Sequence, residues 1–427
     1  MKWTAASLAL ALLAVGGANA HAAGTLDLYK MVRSLQLVQD QLARGDHAAM
    51  PMQQKLLALT DERFRTASPQ EFEDRRNLTA LLVYAMSGGN PTTIEVVLSK
   101  LHLEGEDAVL GKGVLAYMTG RMVKAGEILA PIDPMARGSE TGAFVALVKG
   151  SITGIKHPEA ALKLMDQARL LAPGTLVEEA ALRRSMPLVL ALDRPDRFLV
   201  LAEQYIRRFL RSPYASEFAD AFVEGMVTFH DAITEAQIKT IVSLMNPAQQ
   251  EAIYLRLARR STIKGQVARS AFASGHATDI SRQVEGEEDP RATLYQAIAS
   301  ITSENVEEVL ENLKKVDPDQ LSPRDRKLLL AARAIAAEVL APPTGENPPV
   351  EKASQPAVSE TTASHASEAA GEAAHPVAAK NPEDHPGAAT SPGSAAADEV
   401  DTVSRELVSS VREKLDAVDR LLEGVKE

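Results

Sequence analysis

The chain has 427 residues, a formal net charge of −11, 45% apolar and 4% aromatic residues, one Trp and no Cys. The lack of cysteine excludes disulfides, zinc ribbons, iron–sulfur ligation and thiol nucleophiles together. The acidic balance argues against non-specific binding to nucleic acid or an anionic membrane surface, and so few aromatics argue against an all-β sandwich or barrel.

The N-terminus reads as an export signal, residues 1–23. Lys2 supplies a positive start, Leu8 to Val15 a short apolar run, and Ala18-Asn19-Ala20 a small-residue cleavage site, with Ala20-His21-Ala22 as an overlapping choice. The run is short for a membrane span, and no later segment approaches ~18 uninterrupted apolar residues. The expected product is a soluble, exported, periplasmic protein beginning between His21 and Gly24.

Residues 24–341 read as helix after helix. Leu28, Met31, Leu35, Val38 and Leu42 share one face, stopped at Gly45. Helix starts then recur with one chemistry. Ser68-Pro69-Gln70-Glu71, Asn246-Pro247-Ala248-Gln249 and Ser322-Pro323-Arg324-Asp325 each place a capping side chain before a proline at the first helical position; Thr234-Glu235-Ala236-Gln237 is a capping box without proline. Gly88-Gly89-Asn90-Pro91 ends one helix and opens the next. Between these signals lie spans rich in Ala, Leu, Glu, Arg and Gln, which lose little side-chain entropy in a helix. No sustained apolar–polar alternation suggests a sheet, so the fold class is all-α.

Weak repeats lie within this stretch. Ala161, Ala168 and Pro173 match the small-small-proline spacing of a tetratricopeptide unit; Tyr117, Gly120 and Ala125, and Ala202, Tyr205, Phe209 and Pro213, echo parts of it. The preferred architecture is a tetratricopeptide-like α-solenoid of helix pairs, with an irregular helical bundle as the alternative. Arg256, Arg259, Arg260 and Lys264 gather on one helical stretch. They form either a solvated helix face or a basic docking strip for an acidic partner.

Residues 342–399 are rich in Ala, Pro, Glu, Ser and His and have no apolar face to bury, the composition of a disordered linker. Roughly 60 such residues have an r.m.s. reach of about 40–45 Å. His365, His375 and His385 recur there, as a compositional accident or a weak metal trap. Residues 400–427 regain periodicity: Val408, Val411, Leu415, Val418, Leu422 and Val425 alternate at three and four, with Arg412, Lys414, Asp416, Asp419 and Arg420 off the seam. This amphipathic helix docks on its own body, binds a partner or pairs with itself.

Catalytic signatures are lacking. Gly150-Ser151-Ile152-Thr153-Gly154 has the wrong spacing for a nucleophile elbow, and Gly105 with Gly111-Lys112-Gly113 misses a phosphate loop by one residue and its hydroxyl. Ser216-Glu217 reverses the Glu-Ser pair of murein lytic enzymes. No cofactor, metal or enzymatic activity is expected.

The segments Gly24-Thr25-Leu26-Asp27-Leu28-Tyr29-Lys30-Met31-Val32-Arg33-Ser34-Leu35-Gln36, Arg184-Ser185-Met186-Pro187-Leu188-Val189-Leu190-Ala191-Leu192-Asp193 and Phe209-Leu210-Arg211-Ser212-Pro213-Tyr214-Ala215, with the leader, linker and tail, carry a resemblance. Over essentially its whole length the chain resembles the MotC family, periplasmic motility proteins of rhizobia. The resemblance implies a non-enzymatic accessory of the flagellar motor that binds the periplasmic part of the stator protein MotB. It transfers no individual site residue. The positions offered for partner binding are Arg256, Arg259, Arg260 and Lys264 on the body and Val411, Leu415, Val418 and Leu422 on the tail. A generic tetratricopeptide-like envelope scaffold is the other reading, and a murein-active enzyme a third.

Overall fold

A computed structural model describes residues 26–301 and 306–340, and these form seventeen α-helices with no strand among them. The leader 1–23, the linker 342–399 and the tail 400–427 lie outside the described residues. The chain divides into two compact units between Phe218 and Ala219.

The first unit holds α1 (Leu28–Ala43), α2 (Met50–Thr66), α3 (Arg75–Met86), α4 (Pro91–Lys100), α5 (Gly105–Met118), α6 (Met122–Leu129), α7 (Ala143–Thr153), α8 (Pro158–Leu171), α9 (Leu176–Ala191) and α10 (Pro195–Phe209). α11 (Ala215–Thr228) contains the division. The second unit continues with α12 (Glu235–Val242), α13 (Pro247–Ile263), α14 (Val267–Glu285), α15 (Pro290–Ser300), α16 (Val306–Lys315) and α17 (Pro323–Leu340). Consecutive helices pack side by side (α5 on α6, α7 on α8, α8 on α9, α13 on α14, α14 on α15, α16 on α17), the nearest-neighbour pattern of a helical-repeat solenoid.

The first unit adds longer-range contacts to that pattern. α3, apolar on every side (Leu78, Ala80, Leu81, Leu82, Val83, Tyr84 and Ala85 are all buried), packs against α1, α5 and α7. Phe64 of α2 lies 5.1 Å, centroid to centroid, from the Tyr84 ring, whose hydroxyl donates to Asp61 and accepts the Asn90 amide. α1 also reaches α9, where Asp40 accepts the Leu176 amide at 2.9 Å. Burial raises the Asp40 carboxyl above its ordinary range. The buried stripe of α1 is Leu28, Met31, Val32, Leu35, Gln39 and Leu42. It is rotated slightly from the expected one: Val38 is half-buried, and Gln39 is buried because its amide donates to the Ser87 carbonyl. Gly45 ends α1 with φ +99°, and a Cβ there would collide with Arg211. Both the backbone and the close approach therefore require glycine.

The capping signals form as expected at Thr234 and Asn246, each with its reciprocal Gln. Ser68 differs. Its amide donates to Glu71, but the box caps only a single 3-10 turn, Pro69–Glu73, and α3 starts at Arg75 under an Asp74 cap. At α7 and α8 the small residues do what close crossing requires. A Cβ on Gly150 would come within 2.8 Å of the Met165 Cε, and Ala161 and Ala168 are fully buried.

Candidate interaction surface

α13 presents the four basic side chains singled out in the sequence, and the structure separates them. Arg256 and Arg260, one turn apart, reach Asp220 and Glu224, one turn apart on α11; Arg256 donates to Asp220 at 2.8 Å. Arg259 turns the other way. Its Nε donates to Asp325 of α17 at 3.0 Å. Asp325 is buried and also accepts the Tyr295 hydroxyl at 2.9 Å and the Ser322 hydroxyl at 2.8 Å. Burial, then the Asp325 charge, holds the Tyr295 phenol well above its ordinary range, so it stays a donor. Three arginines thus act first as braces between helices. Pair-forming arginines on a helix face look the same in sequence whether their acids belong to the same chain or to a partner.

Lys264 is the exception. It caps the C-terminus of α13 and is exposed, beside exposed Ile263 and Val267. Gly265, at φ +70°, turns the chain into α14. Two apolar side chains and one ammonium on a tight turn form a small amphipathic prominence. The tail positions Val411, Leu415, Val418 and Leu422 lie outside the described residues.

Sequence reasoning missed a second feature. α12, α13 and α14 enclose a half-open cleft of about 280 Å³, bordered by Lys239, Gln250, Tyr254, His276, Asp279 and Gln283. The Tyr254 and His276 rings stack with centroids 5.0 Å apart, and Phe272 meets His276 edge-on at 4.8 Å. Burial first, and the Lys239 ammonium second, lower the His276 imidazole below its ordinary 6.5, so it is neutral at neutral pH. Burial pushes the Tyr254 phenol up to about 12. The i,i+4 pair Phe272–His276 was the available signal, but Tyr254 comes from another helix and only packing brings the three rings together. An aromatic floor with amide and charged groups at the rim is the chemistry of recognition. Among the described residues, no group of three His, Asp or Glu side chains is placed to hold a metal ion.

Comparison with known proteins extends these observations. The family model described as "Chemotaxis protein MotC" matches residues 1–427. The chain is similar to the chemotaxis protein MotC of Rhizobium meliloti (strain 1021), 38% identical over 426 residues, which cover 98% of this chain and 97% of the relative. No solved structure matches the chain.

Proposed function

The chain belongs to the MotC family of chemotaxis proteins, and on that premise we propose that it is a non-enzymatic periplasmic accessory of the flagellar motor that binds the periplasmic part of the stator protein MotB. The observation that carries this reading is the match of a chemotaxis-protein family model to residues 1–427, with 38% identity to one such protein over 98% of the chain. The leader chemistry of Lys2, Leu8 to Val15 and Ala18-Asn19-Ala20 supports export. Among the described residues no helix is long and apolar enough to cross a membrane, which accords with a body that works beside the stator.

Contact with MotB is assigned to the turn of Ile263, Lys264 and Val267. Arg256, Arg259 and Arg260 anchor α13, the helix that leads into that turn, through Asp220, Asp325 and Glu224. An accessory that prefers one conformation of the stator shifts the population toward it by the difference of its two affinities.

Calorimetric titration of the mature chain with the purified periplasmic part of MotB tests the reading. Saturable binding with a negative heat-capacity change is expected, because apolar surface is buried. Ile263→Asp combined with Lys264→Glu should weaken binding by about tenfold or more, roughly 1.4 kcal/mol, without altering the helical circular-dichroism signal. No heat with two folded proteins returns the chain to a generic envelope scaffold. Unchanged affinity in the variant moves the contact off this turn.

A further inference from the structure

From Leu328 onward α17 carries apolar side chains on both its inner and its outer side. Its inner side, Asp325, Leu329, Ala332 and Ala336, is buried in the second unit. Its outer side leaves Leu330 63%, Ile335 50% and Val339 57% exposed, with Ala331, Ala334 and Ala337 also exposed between and beside them. From Leu328 to Leu340 the charged residues are Arg333 and Glu338. Arg333 is turned inward, donating to the carbonyls of Leu313 and Val316 at the end of α16. Helical arrays keep a polar outer face on a terminal helix unless another element covers it. Ala331 and Ala334 form a low strip flanked by Leu330 and Ile335, a profile that lets a second helix approach closely.

We propose that the chain's own tail, residues 404–426, docks as a helix along this outer face of α17 and caps the second unit. Three observations single out this occupant. The chain runs directly from Leu340 into residues 341–427, and the strongest helical apolar seam in that stretch is Val408, Val411, Leu415, Val418, Leu422 and Val425. The lengths match: at about 1.5 Å per residue, Val408 to Val425 spans about 26 Å, and the 18-residue α17 about 27 Å. The charges match when the tail runs antiparallel. Exposed Arg326 and Lys327 at the start of α17 then meet Asp419 and Glu423, while Glu338 near its end meets Arg405 and Arg412. The linker of roughly 60 residues, with an r.m.s. reach of about 40–45 Å, spans the return. It holds the tail at an effective concentration on the millimolar scale. In that register Val418 packs over Ala331 and Leu415 over Ala334.

The natural chain has no cysteine, which makes disulfide trapping clean. Full-length mature protein carrying Ala331→Cys and Val418→Cys is oxidised at micromolar concentration. A control pairs Ala331→Cys with Arg420→Cys, off the seam. The expected result is a disulfide within single chains that forms at least about tenfold faster for the seam pair, a difference that Ile335→Asp abolishes. Equal rates for the two pairs mean mere tethered encounter and overturn the proposal. Predominant disulfide-linked dimers assign the face to a second copy and overturn it as well. Hydrogen exchange gives an independent readout: Leu415→Asp with Val418→Asp should speed exchange of the amides in residues 328–340 at least about tenfold. No change there also overturns the docking. All substituted positions on α17 are exposed, so the unit keeps its fold.

Discussion

Glu179 is completely buried on α9, and its surroundings explain how a carboxylate is kept there. Arg183, one turn on, donates to it from Nε at 3.1 Å, and the Tyr205 hydroxyl donates at 2.7 Å. Arg183 also reaches Glu217, and the Tyr205 ring stacks on Phe218 at 3.9 Å. Burial by itself disfavours the guanidinium charge, but Glu179 and Glu217 together hold it firmly protonated. Burial and then the Glu179 charge keep the Tyr205 phenol protonated. Glu179→Ala leaves Arg183 buried with only the exposed Glu217, and should cost about 3–5 kcal/mol in urea unfolding. Glu179→Gln, which keeps a hydrogen-bond acceptor, should cost less. His276 behaves differently. Its folded-state value lies below the unfolded 6.5, so the unfolded chain takes up protons first. The stability it contributes is complete above about 6.5 and is lost as pH falls through that value toward the folded one. Lys239 strengthens this effect, and Asp279 and Glu235 oppose it. The melting temperature of the natural chain should therefore drop between pH 7 and 5 by more than that of His276→Gln, measured by thermal circular dichroism.

Where helices meet, size decides. Gly150, Gly154 and Ala161 let α7 and α8 cross closely; a Cβ on Gly154 would lie 3.2 Å from Leu188 of α9 and 3.7 Å from the Ala161 Cβ. Ala161→Leu overfills this crossing and should destabilise the first unit by about 1–3 kcal/mol, seen as a lower urea midpoint at unchanged slope. The spacing of Ala161, Ala168 and Pro173 signalled this crossing because a repeat pattern records steric needs directly. The capping boxes were legible for the same local reason: a side chain and an amide three residues apart need no tertiary context. The Ser68 box misled because a box fixes only one turn. Whether the turn continues as an α-helix depended on Asp74, which starts α3 six residues later.

For the molecule as a whole, the basic side chains of α13 are tertiary braces, and their strengths should differ with depth. Arg259 meets Asp325, whose side chain is 6% exposed; Arg260 meets Glu224, 42% exposed. Arg259→Ala should cost about 3 kcal/mol because it strips a buried carboxylate of its charged partner, whereas Arg260→Ala should cost about 0–1 kcal/mol. Parallel thermal melts of the two variants check the ranking. The same comparison bears on the interaction surface. If the proposed MotB contact holds, a variant that lowers that affinity while leaving the melt unchanged belongs to the contact, and one that lowers both belongs to the frame behind it.

What is local or periodic was legible in the order of residues: the all-α class, most helix starts, the small residues at a helix crossing, and the family to which the chain belongs. Each depends on residues within a few turns of one another, or on similarity accumulated along the chain. Tertiary structure decided which partners distant residues meet. It joined Arg259 to Asp325 across 66 positions, gathered the rings of Tyr254, Phe272 and His276 into one cluster, divided the helices at Phe218 and Ala219, and left apolar side chains on the outer face of α17. A charge or a ring has the same local signature whether its partner lies on the next helix, six helices away or on another protein. Only packing in three dimensions selects among them.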